Sequence, residues 1–428
     1  MQIYVIQPGD SIFTISNAFG VTPNEIISIN ELDAPNNLVV GQTIVIPIVG
    51  QYYFVQPGDS LFTIANRFQL SVQQLAEINQ ISIYTPLQVG FRLYIPELPK
   101  REISSLAYVE PLGGTFSETL KNEARQRSPY LTYLALFSFR VNRDGTLDRP
   151  PTNSIQEIAA TGNASPTLVV TNLEGDSFST DLARIIVTDT AVQDTLLDEI
   201  VNTATEEGYR DVHFDFEFLP RDARENYNNF LRKAKARLSE AGLLMSTALA
   251  PKTSADQQGI LYEAHDYRAH GEIADFVVLM TYEWGYSAGP AMPVSPLNEV
   301  ERVIDYALTE IPAEKIMLGQ NLYGYDWTLP FVAGESFARS LSPQQAIALA
   351  REVNAAISYD YTAQAPHFSY YDENGRQHVV WFEDARSIQA KFDLIKRKNL
   401  RGISYWKLGL SFPQNWVLLD NNFIITKL

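Results

Sequence analysis

The sequence of 428 residues contains no cysteine, so its fold cannot depend on disulfide bonds. The same absence excludes thiolate metal ligands and a cysteine nucleophile. Histidine is also scarce, with five residues, and none of them has the spacing of an HExxH metal site. No glycine-rich phosphate loop is present either. We therefore expect no metal ion and no other cofactor.

Basic residues are fewer than acidic ones, 33 against 50, which gives a formal net charge of −17. This excess argues against nucleic acid and against anionic membranes as partners. No apolar run approaches the roughly 18 residues that a membrane-spanning helix needs. The first residues show no basic segment followed by an apolar stretch, so we expect no secretory signal. At this length the chain has room for two or three domains.

The first hundred residues contain an internal repeat with an offset of 49 residues. Residues 5–15 recur as residues 54–64 with the same Gln-Pro-Gly-Asp-Ser turn, and Ile46-Pro47 recurs as Ile95-Pro96. A capping residue follows each turn, and a second capping signal begins at Thr22 of the first repeat and has a counterpart in the second repeat. Each repeat is therefore predicted to fold as strand, helix, helix, strand.

The repeats resemble the LysM module, a small βααβ fold that binds polymers containing N-acetylglucosamine. We assign two modules, to residues 1–48 and 50–97, and the resemblance implies a glycan groove between two loops of each. A tandem pair implies avidity for a repeating polymer. For the Asp and Ser of each turn, helix capping alone is the structural alternative. The assigned groove residues are Gly9, Asp10, Ser11, Ile12 and Leu38 in the first module, and Gly58, Asp59, Ser60, Leu61 and the loop Thr85–Leu87, including Leu87, in the second.

Residues 102–428 alternate between candidate strands and helices, at a length that suits one (β/α)₈ barrel of the α/β class, a TIM barrel. The interval before the last strand is too long for one helix, so we predict a small α+β insertion at about residues 357–383. It contains a hairpin that walls one side of the site. The predicted barrel strands are Leu106–Val109, Tyr133–Phe139, Thr167–Thr171, Asp211–Phe218, Leu244–Ala248, Phe276–Thr281, Lys315–Leu322 and Gly402–Trp406.

The segment 211–218 is the most informative part of the chain, because polar and apolar residues alternate along it. This period of two predicts a β-strand with its acidic residues and His213 on one face. On an antiparallel sheet the polar face would simply be solvated. In a parallel barrel it points inward, where carboxylates are costly to bury without a function. We therefore predict an active site at Asp215 and Glu217, at the C-terminal end of the fourth strand.

Other strand ends carry aromatic and polar residues, and together they resemble family 18 glycoside hydrolases, the chitinase-like group. The family signature on the fourth strand is Asp-x-x-Asp-x-Asp-x-Glu. This chain matches its last two acidic positions and departs at the earlier two, where Arg210 and His213 stand. The candidate site residues on the resemblance are Asp215, Glu217 and Tyr282 for catalysis, and Glu283, Trp284, Asn321, Tyr323 and Trp406 for substrate binding.

The resemblance implies retaining hydrolysis in which the 2-acetamido group of the substrate attacks the anomeric carbon and forms an oxazolinium ion. Glu217 would act as acid and then as base, Asp215 would hold the acetamido N–H, and Tyr282 would bind its oxygen. Trp406 would form the floor of the subsite by stacking. Packing in the barrel core is the alternative for Tyr282 and for Trp406.

Over its whole length the chain resembles the spore cortical fragment-lytic enzymes of endospore-forming bacteria. The resemblance implies an N-acetylglucosaminidase that cleaves spore cortex peptidoglycan during germination. Its partners would be glycan fragments containing N-acetylglucosamine and also spore coat proteins. The enzyme would be made in the mother-cell cytoplasm and would lie in the spore coat or other outer layers. The alternatives are a chitinase with LysM modules and a non-catalytic chitinase-like lectin, which would normally have lost the acid at position 217.

Overall fold

The computed structural model describes residues 1–84, 86–97, 99–152 and 154–428. Thr85, which the sequence places in the second glycan loop, lies outside the described residues. The chain divides into two compact units, Met1–Lys100 and Arg101–Leu428. Among the described residues, no helix combines the length and apolar character that crossing a membrane requires.

The first unit contains two βααβ repeats, as the sequence predicts. In each repeat the first and last strands form an antiparallel pair, and the two helices lie between them in sequence. The elements are β1 (Gln2–Val5), α1 (Ile12–Phe19), α2 (Pro23–Asn30), β2 (Thr43–Ile46), β3 (Gln51–Phe54), α3 (Leu61–Arg67), α4 (Val72–Ile78) and β4 (Arg92–Ile95).

Reciprocal side-chain caps start all four helices of this unit. Ser11 and Ser60 accept a hydrogen bond from the backbone of the residue three positions later, whose side chain bonds back to the cap. Thr22 and Ser71 do the same for the second helix of each repeat. Because four N–H groups at a helix start have no partner within the helix, these caps fix where each short helix begins.

An asparagine, buried in the first repeat and half-buried in the second, joins the second helix of each repeat to its last strand. The amide of Asn30 donates to the carbonyl groups of Ile26 and Val45, both at 2.8 Å, and its oxygen accepts from the Val45 N–H at 2.7 Å. Asn79 makes the same three bonds to Leu75 and Tyr94. The repeat in sequence is therefore also a repeat in hydrogen bonding.

The second unit is a closed barrel of parallel strands with further strands attached. Its strands are β5 (Arg101–Val109), β6 (Tyr133–Val141), β7 (Leu147–Asp148), β8 (Ser165–Thr171), β9 (Leu173–Glu174), β10 (Ser177–Phe178), β11 (Asp211–Asp215), β12 (Leu244–Leu249), β13 (Phe276–Leu279), β14 (Ile316–Asn321), β15 (Gly324–Thr328), β16 (Arg339–Leu341), β17 (Ser358–Asp360), β18 (Ala365–Tyr371), β19 (Gln377–Trp381), β20 (Gly402–Trp406) and β21 (Phe423–Ile425).

Helices follow most barrel strands. They are α5 (Glu118–Arg127), α6 (Ile155–Thr161), α7 (Thr180–Thr188), α8 (Thr190–Glu207), α9 (Arg224–Glu240), α10 (Tyr267–Ile273), α11 (Leu297–Glu310), α12 (Pro343–Glu352), α13 (Ala385–Lys398) and α14 (Pro413–Asn422).

Eight parallel strands form the barrel in the order β5-β6-β8-β11-β12-β13-β14-β20, and β20 pairs with β5 to close it. The predicted TIM barrel is confirmed. All eight predicted strands exist, but the fourth ends at Asp215 rather than at Phe218, and the sixth ends at Leu279 rather than at Thr281. Phe218 has a left-handed backbone with φ of 54°, which a strand does not accommodate. Glu217 therefore lies in the loop after the strand.

The insertion before the last barrel strand is larger than the predicted interval of 357–383. The predicted hairpin is present as β18 and β19, but it belongs to a five-stranded antiparallel sheet in the order β16-β15-β19-β18-β17. This sheet begins at Gly324, directly after β14, and α12 follows β16. It brings Tyr325 and Ser340 to the mouth of the barrel, where both line the cavity described below.

Candidate active site

A cavity of about 390 Å³ opens at the C-terminal end of the barrel strands. Six of the eight predicted site residues in the barrel line it. The other lining residues were not among the predicted site residues, and most of them come from loops and from the insertion. The lining consists of Phe137, Phe178, Asp215, Glu217, Met280, Tyr282, Glu283, Tyr323, Tyr325, Ser340, Trp406, Lys407 and Leu410.

Asp215 and Glu217 are two of the three carboxyl groups in the described lining of this cavity. Asp215 is 6% exposed, and burial raises its pKa to about 7. Burial also raises the pKa of Glu217 well above its usual value, and the charge of Asp215 raises it further. A carboxyl group of this kind holds its proton near neutral pH and can donate it to a leaving group.

Tyr282 and Trp406 form part of the wall next to the two carboxyl groups. Burial, followed by the nearby charge of Asp215, raises the pKa of Tyr282 well above its usual value, so its hydroxyl remains a hydrogen-bond donor. Trp406 is half-buried, and its ring packs edge-on against Phe137 and Tyr108, with ring centroids 4.8 and 5.3 Å apart. One part of the indole thus belongs to the barrel core and another faces the cavity.

Glu283 stands at the rim and is held by two tyrosines. Its carboxylate accepts hydrogen bonds from the hydroxyl of Tyr323 and, at 3.1 Å, from that of Tyr325. Its backbone is left-handed, with φ of 66°. Glu283 lies in the loop after β13, whereas Tyr325 belongs to the insertion. The insertion therefore helps to fix Glu283, a contact that was not predicted from the sequence.

Trp284 and Asn321 are not among the described residues that line the cavity. The side chain of Asn321 is fully buried, donates to the Tyr323 carbonyl at 2.6 Å and accepts from Gln320 at 3.0 Å. Trp284 is half-buried, and its backbone N–H donates to Val294 at 3.0 Å. Asn321 thus supports the connection between β14 and β15 that carries Tyr323, and it is not among the described residues that line the cavity.

A chain of hydrogen-bonded side chains lies in the barrel interior and includes His213, two residues before Asp215. Tyr108 OH lies 2.8 Å from His213 Nε2, His213 Nδ1 lies 2.8 Å from Ser246 Oγ, and Ser246 donates to Asp211 at 2.8 Å. Burial lowers the pKa of His213 to about 3 and raises that of Asp211 to about 7. His213 therefore stays uncharged near neutral pH at one of the two earlier acidic positions of the family signature, and Asp211 stands next to the other, which Arg210 occupies.

A serine near the cavity has sequence neighbours that match the Gly-x-Ser-x-Gly spacing of many serine hydrolases. This is Ser287, within residues 285–289. It lies in a loop rather than between a strand and a helix, and its hydroxyl donates to the Ala338 carbonyl at 2.9 Å. The hydroxyl therefore ties two loops together, and among the described residues no hydrogen bond joins it to a base that could activate it.

A larger groove of about 650 Å³ lies in the insertion, between α12 and the hairpin of β18 and β19. Both arginines in its lining are paired: Arg339 with Asp326, and Arg376 with Asp372. None of the predicted site residues lies in its described lining. Nor does any group of three acidic or histidine side chains in the described residues have a geometry that would hold a metal ion.

In the first unit, the predicted groove side chains are largely used within the module. Asp10 accepts from Tyr4 OH at 2.9 Å and from the Gln7 N–H at 2.7 Å, which closes the turn. Asp59 does the same in the second module. Ser11 and Ser60 are caps, Gly9 and Gly58 have positive φ, and Ile12, Leu38, Leu61 and Leu87 pack in or against the module cores. A glycan at these loops would therefore bond mainly to backbone groups.

Comparisons with known proteins agree with this architecture. The model of the glycosyl hydrolases family 18 matches residues 113–410, and the LysM domain model matches residues 4–47 and 53–96. The chain therefore belongs to glycoside hydrolase family 18, and it is a glycoside hydrolase that carries two LysM domains.

The particular relatives within this class match the chain from end to end. It is 63% identical over 427 residues to the cortical fragment-lytic enzyme of Bacillus subtilis, covering 100% of this chain and 99% of the relative. The crystal structure of the Bacillus cereus spore cortex-lytic enzyme SleL has a TM-score of 0.93 and 49% identity, covering 100% and 98% of the two chains. A chitinase structure from Chromobacterium violaceum, 24% identical over 75% of this chain and 98% of its own length, shares the fold with a TM-score of 0.68.

Proposed function

We propose that the protein is an N-acetylglucosaminidase that hydrolyses the glycan of spore cortex peptidoglycan during germination. The proposal rests on Asp215 and Glu217 in one cavity at the C-terminal end of the barrel. The chain that carries them matches, over its whole length, relatives named for lysis of cortical fragments. The spore coat or another outer layer is the proposed location, with coat proteins as neighbours.

The positions of the two carboxyl groups favour a substrate-assisted reaction. A retaining glycosidase with a protein nucleophile needs its two carboxyl groups on opposite sides of the sugar, about 5 Å apart. Asp215 ends β11 and Glu217 follows two residues later in the loop, a closeness along the chain that favours approach to one side of the sugar. The nucleophile is then the acetamido oxygen of the substrate, as in the family 18 exceptions to the usual mechanism.

In the first step, Glu217 gives its proton to the glycosidic oxygen while the acetamido oxygen bonds to the anomeric carbon. The carbon–oxygen bond to the leaving sugar breaks, and an oxazolinium ion forms. In the second step the Glu217 carboxylate takes a proton from water, whose oxygen attacks the anomeric carbon and opens the ring with net retention. The raised pKa of Glu217 supports its role as the acid of the first step.

The other proposed roles follow from the residues around this pair. Asp215 accepts the acetamido N–H and, when ionised, stabilises the positive oxazolinium ion. Tyr282 donates to the acetamido oxygen, and Trp406 stacks on the apolar face of the sugar. Glu283 and Tyr323, joined by their hydrogen bond, are proposed to contact sugar hydroxyl groups at the rim. Trp284 and Asn321 are left with a supporting role.

Product analysis tests the proposal directly. Cortex fragments, vegetative peptidoglycan and chitin oligomers are digested, and the products are reduced with borohydride and identified by mass spectrometry. Reduced N-acetylglucosamine at new ends of the cortex fragments is expected. Reduced muramic acid would contradict the bond assignment, and activity on chitin alone would favour a chitinase.

A matched pair of variants tests the role of Glu217. Glu217→Gln keeps the size of the side chain and removes the acid, so turnover should fall by at least about 10²–10⁴-fold while polymer binding stays intact. Glu206→Gln is the control, because Glu206 is an exposed glutamate on α8. Intact binding with no product from the unmodified protein would identify a lectin instead.

A further inference from the structure

The backbone that carries Glu217 is not part of the barrel hydrogen-bond ladder. β11 ends at Asp215, and the loop turns through Phe218, whose φ is positive. The position of the Glu217 carboxyl group therefore depends on whatever holds this loop. Such positioning matters for catalysis, because a misplacement of about 1 Å can cost about 10²-fold in rate.

Asn172 binds this backbone at two points. Asn172 follows β8, the neighbour of β11, and its side chain is fully buried. Its Oδ1 accepts from the Glu217 N–H at 3.0 Å, and its Nδ2 donates to the Glu217 carbonyl at 2.9 Å. One side chain thus binds the backbone of the second residue after the end of the ladder.

Asn172 is itself fixed by the short segment that follows it. Its Nδ2 also donates to the Ser179 carbonyl at 3.0 Å, and the Ser179 N–H donates to the Asn172 carbonyl at 3.0 Å. Only a side-chain amide of this length supplies the acceptor and the donor together. Aspartate would keep the acceptor, lose the donor, and place a negative charge against the Glu217 carbonyl.

The flanking carbonyl groups of the loop have separate partners. His265 accepts the Ala250 N–H at Nδ1 (2.9 Å), so its Nε2 carries the proton and donates to the Phe216 carbonyl at 3.0 Å. Thr180 donates to the Phe218 carbonyl at 2.8 Å. These contacts hold the neighbours of Glu217, whereas Asn172 holds Glu217 itself.

We propose that Asn172 is a positioning residue that sets the reach of the Glu217 carboxyl group into the catalytic cavity. The inference rests on the proposed function of Glu217 as acid and base. Asn172 is not among the described residues that line the cavity. We therefore expect its replacement to slow the chemical step rather than to weaken sugar binding.

The test compares Asn172→Leu, Asn172→Asp and Thr180→Val with Glu217→Gln in the full-length protein, using soluble cortex fragments as substrate. We expect kcat to fall by about 10²-fold in Asn172→Leu and less in Asn172→Asp, with KM little changed. Thr180→Val, which loosens the same loop one residue further on, should change kcat little. Asn172→Asp keeps one of the two bonds to Glu217, so it decides the question if Asn172→Leu fails to fold.

Two kinds of failure can be separated in this design. Full activity of Glu217→Gln would overturn the proposed function and with it the role of Asn172. An inactive Glu217→Gln beside Asn172→Asp and Asn172→Leu variants of normal kcat would overturn the positioning role alone. Equal losses in Thr180→Val and Asn172→Asp would also overturn it, because they would point to a loop that responds to any loosening.

Discussion

The buried carboxyl group of Asp211 should make the barrel less stable as the pH rises, and replacing it with asparagine should remove that penalty. Asp211 is fully buried at the base of the hydrogen-bond chain, and burial raises its pKa from 3.8 to about 7. The folded barrel therefore holds this proton up to about pH 7. The unfolded chain releases it near pH 4.

The sign and size follow from proton linkage. Between about pH 4 and pH 7 the folded state binds one more proton than the unfolded state, so the free energy of unfolding falls by about 1.4 kcal/mol per pH unit. The shift of about three units gives a total of about 4 kcal/mol. This stability is fully present below pH 4 and is lost as the pH rises to about 7.

Asp211→Asn is the appropriate change, because an amide oxygen can still accept from Ser246 and carries no titratable proton. The stability of the variant relative to the unmodified protein should therefore rise by about 4 kcal/mol between pH 4 and pH 7.5. His213 has the opposite linkage: its pKa is lowered to about 3, so its contribution grows as the pH rises from 3 to about 6.5. The two slopes oppose each other in the unmodified protein, and only the difference between the proteins isolates Asp211.

The assay is urea unfolding at several pH values, followed by tryptophan fluorescence. All five tryptophans lie between residues 284 and 416, so the signal reports the barrel and not the LysM repeats. Asp256→Asn, at an exposed carboxylate of the same unit, controls for the loss of any negative charge. A stability difference that stays constant from pH 4 to pH 7.5 would refute the reasoning, because it would mean that Asp211 is ionised in the folded barrel.

Three further predictions concern other parts of the chain. Asn30→Ala leaves the buried N–H and carbonyl of Val45 without the partners that Asn30 supplies and should lower the stability of the first repeat by about 2–4 kcal/mol. Limited proteolysis of the full chain should then cut within the first repeat. Unchanged resistance to the protease would contradict this. In Gly319→Ala the new methyl carbon would stand 2.3 Å from a backbone oxygen and 3.0 Å from the Tyr282 ring. We expect a loss of about 1–3 kcal/mol in barrel stability, read by fluorescence, together with reduced turnover. Deletion of residues 1–96 should weaken cosedimentation with intact walls by about 10²-fold or more but leave hydrolysis of soluble fragments unchanged. Loss of this hydrolysis together with wall binding would place the modules in the catalytic cleft.

The sequence predicted the strand that carries the acidic residues but misplaced its end. The alternation of polar and apolar residues continues to Phe218, because Phe216 remains buried after the ladder has stopped. Its ring packs on Phe230 of α9, with centroids 6.0 Å apart. Periodicity reports which side chains are buried, whereas a strand ends where its backbone leaves the ladder. The two ends differ here by three residues.

The insertion shows a different limit. Its hairpin could be predicted because β18 and β19 are adjacent in sequence and joined by a turn. β15 lies about fifty residues before its partner β19, so no local pattern links them. The contribution of Tyr325 to the cavity, and its hydrogen bond to Glu283, depend on that distant pairing. Residues that reach a site through long-range strand pairing are thus the ones that a single sequence hides.

Asn172 lies just after a strand end and binds a residue that is distant in sequence, so both difficulties apply to it. It follows the third barrel strand as Asp215 ends the fourth, so the rule that strand ends build the site would have included it. Its chemistry carries no charge and no aromatic ring, and nothing in its neighbours points to Glu217, 45 positions later. What identifies it is a pair of bonds to one backbone residue. If those bonds position the acid, the residues that set the rate extend beyond those that touch the sugar.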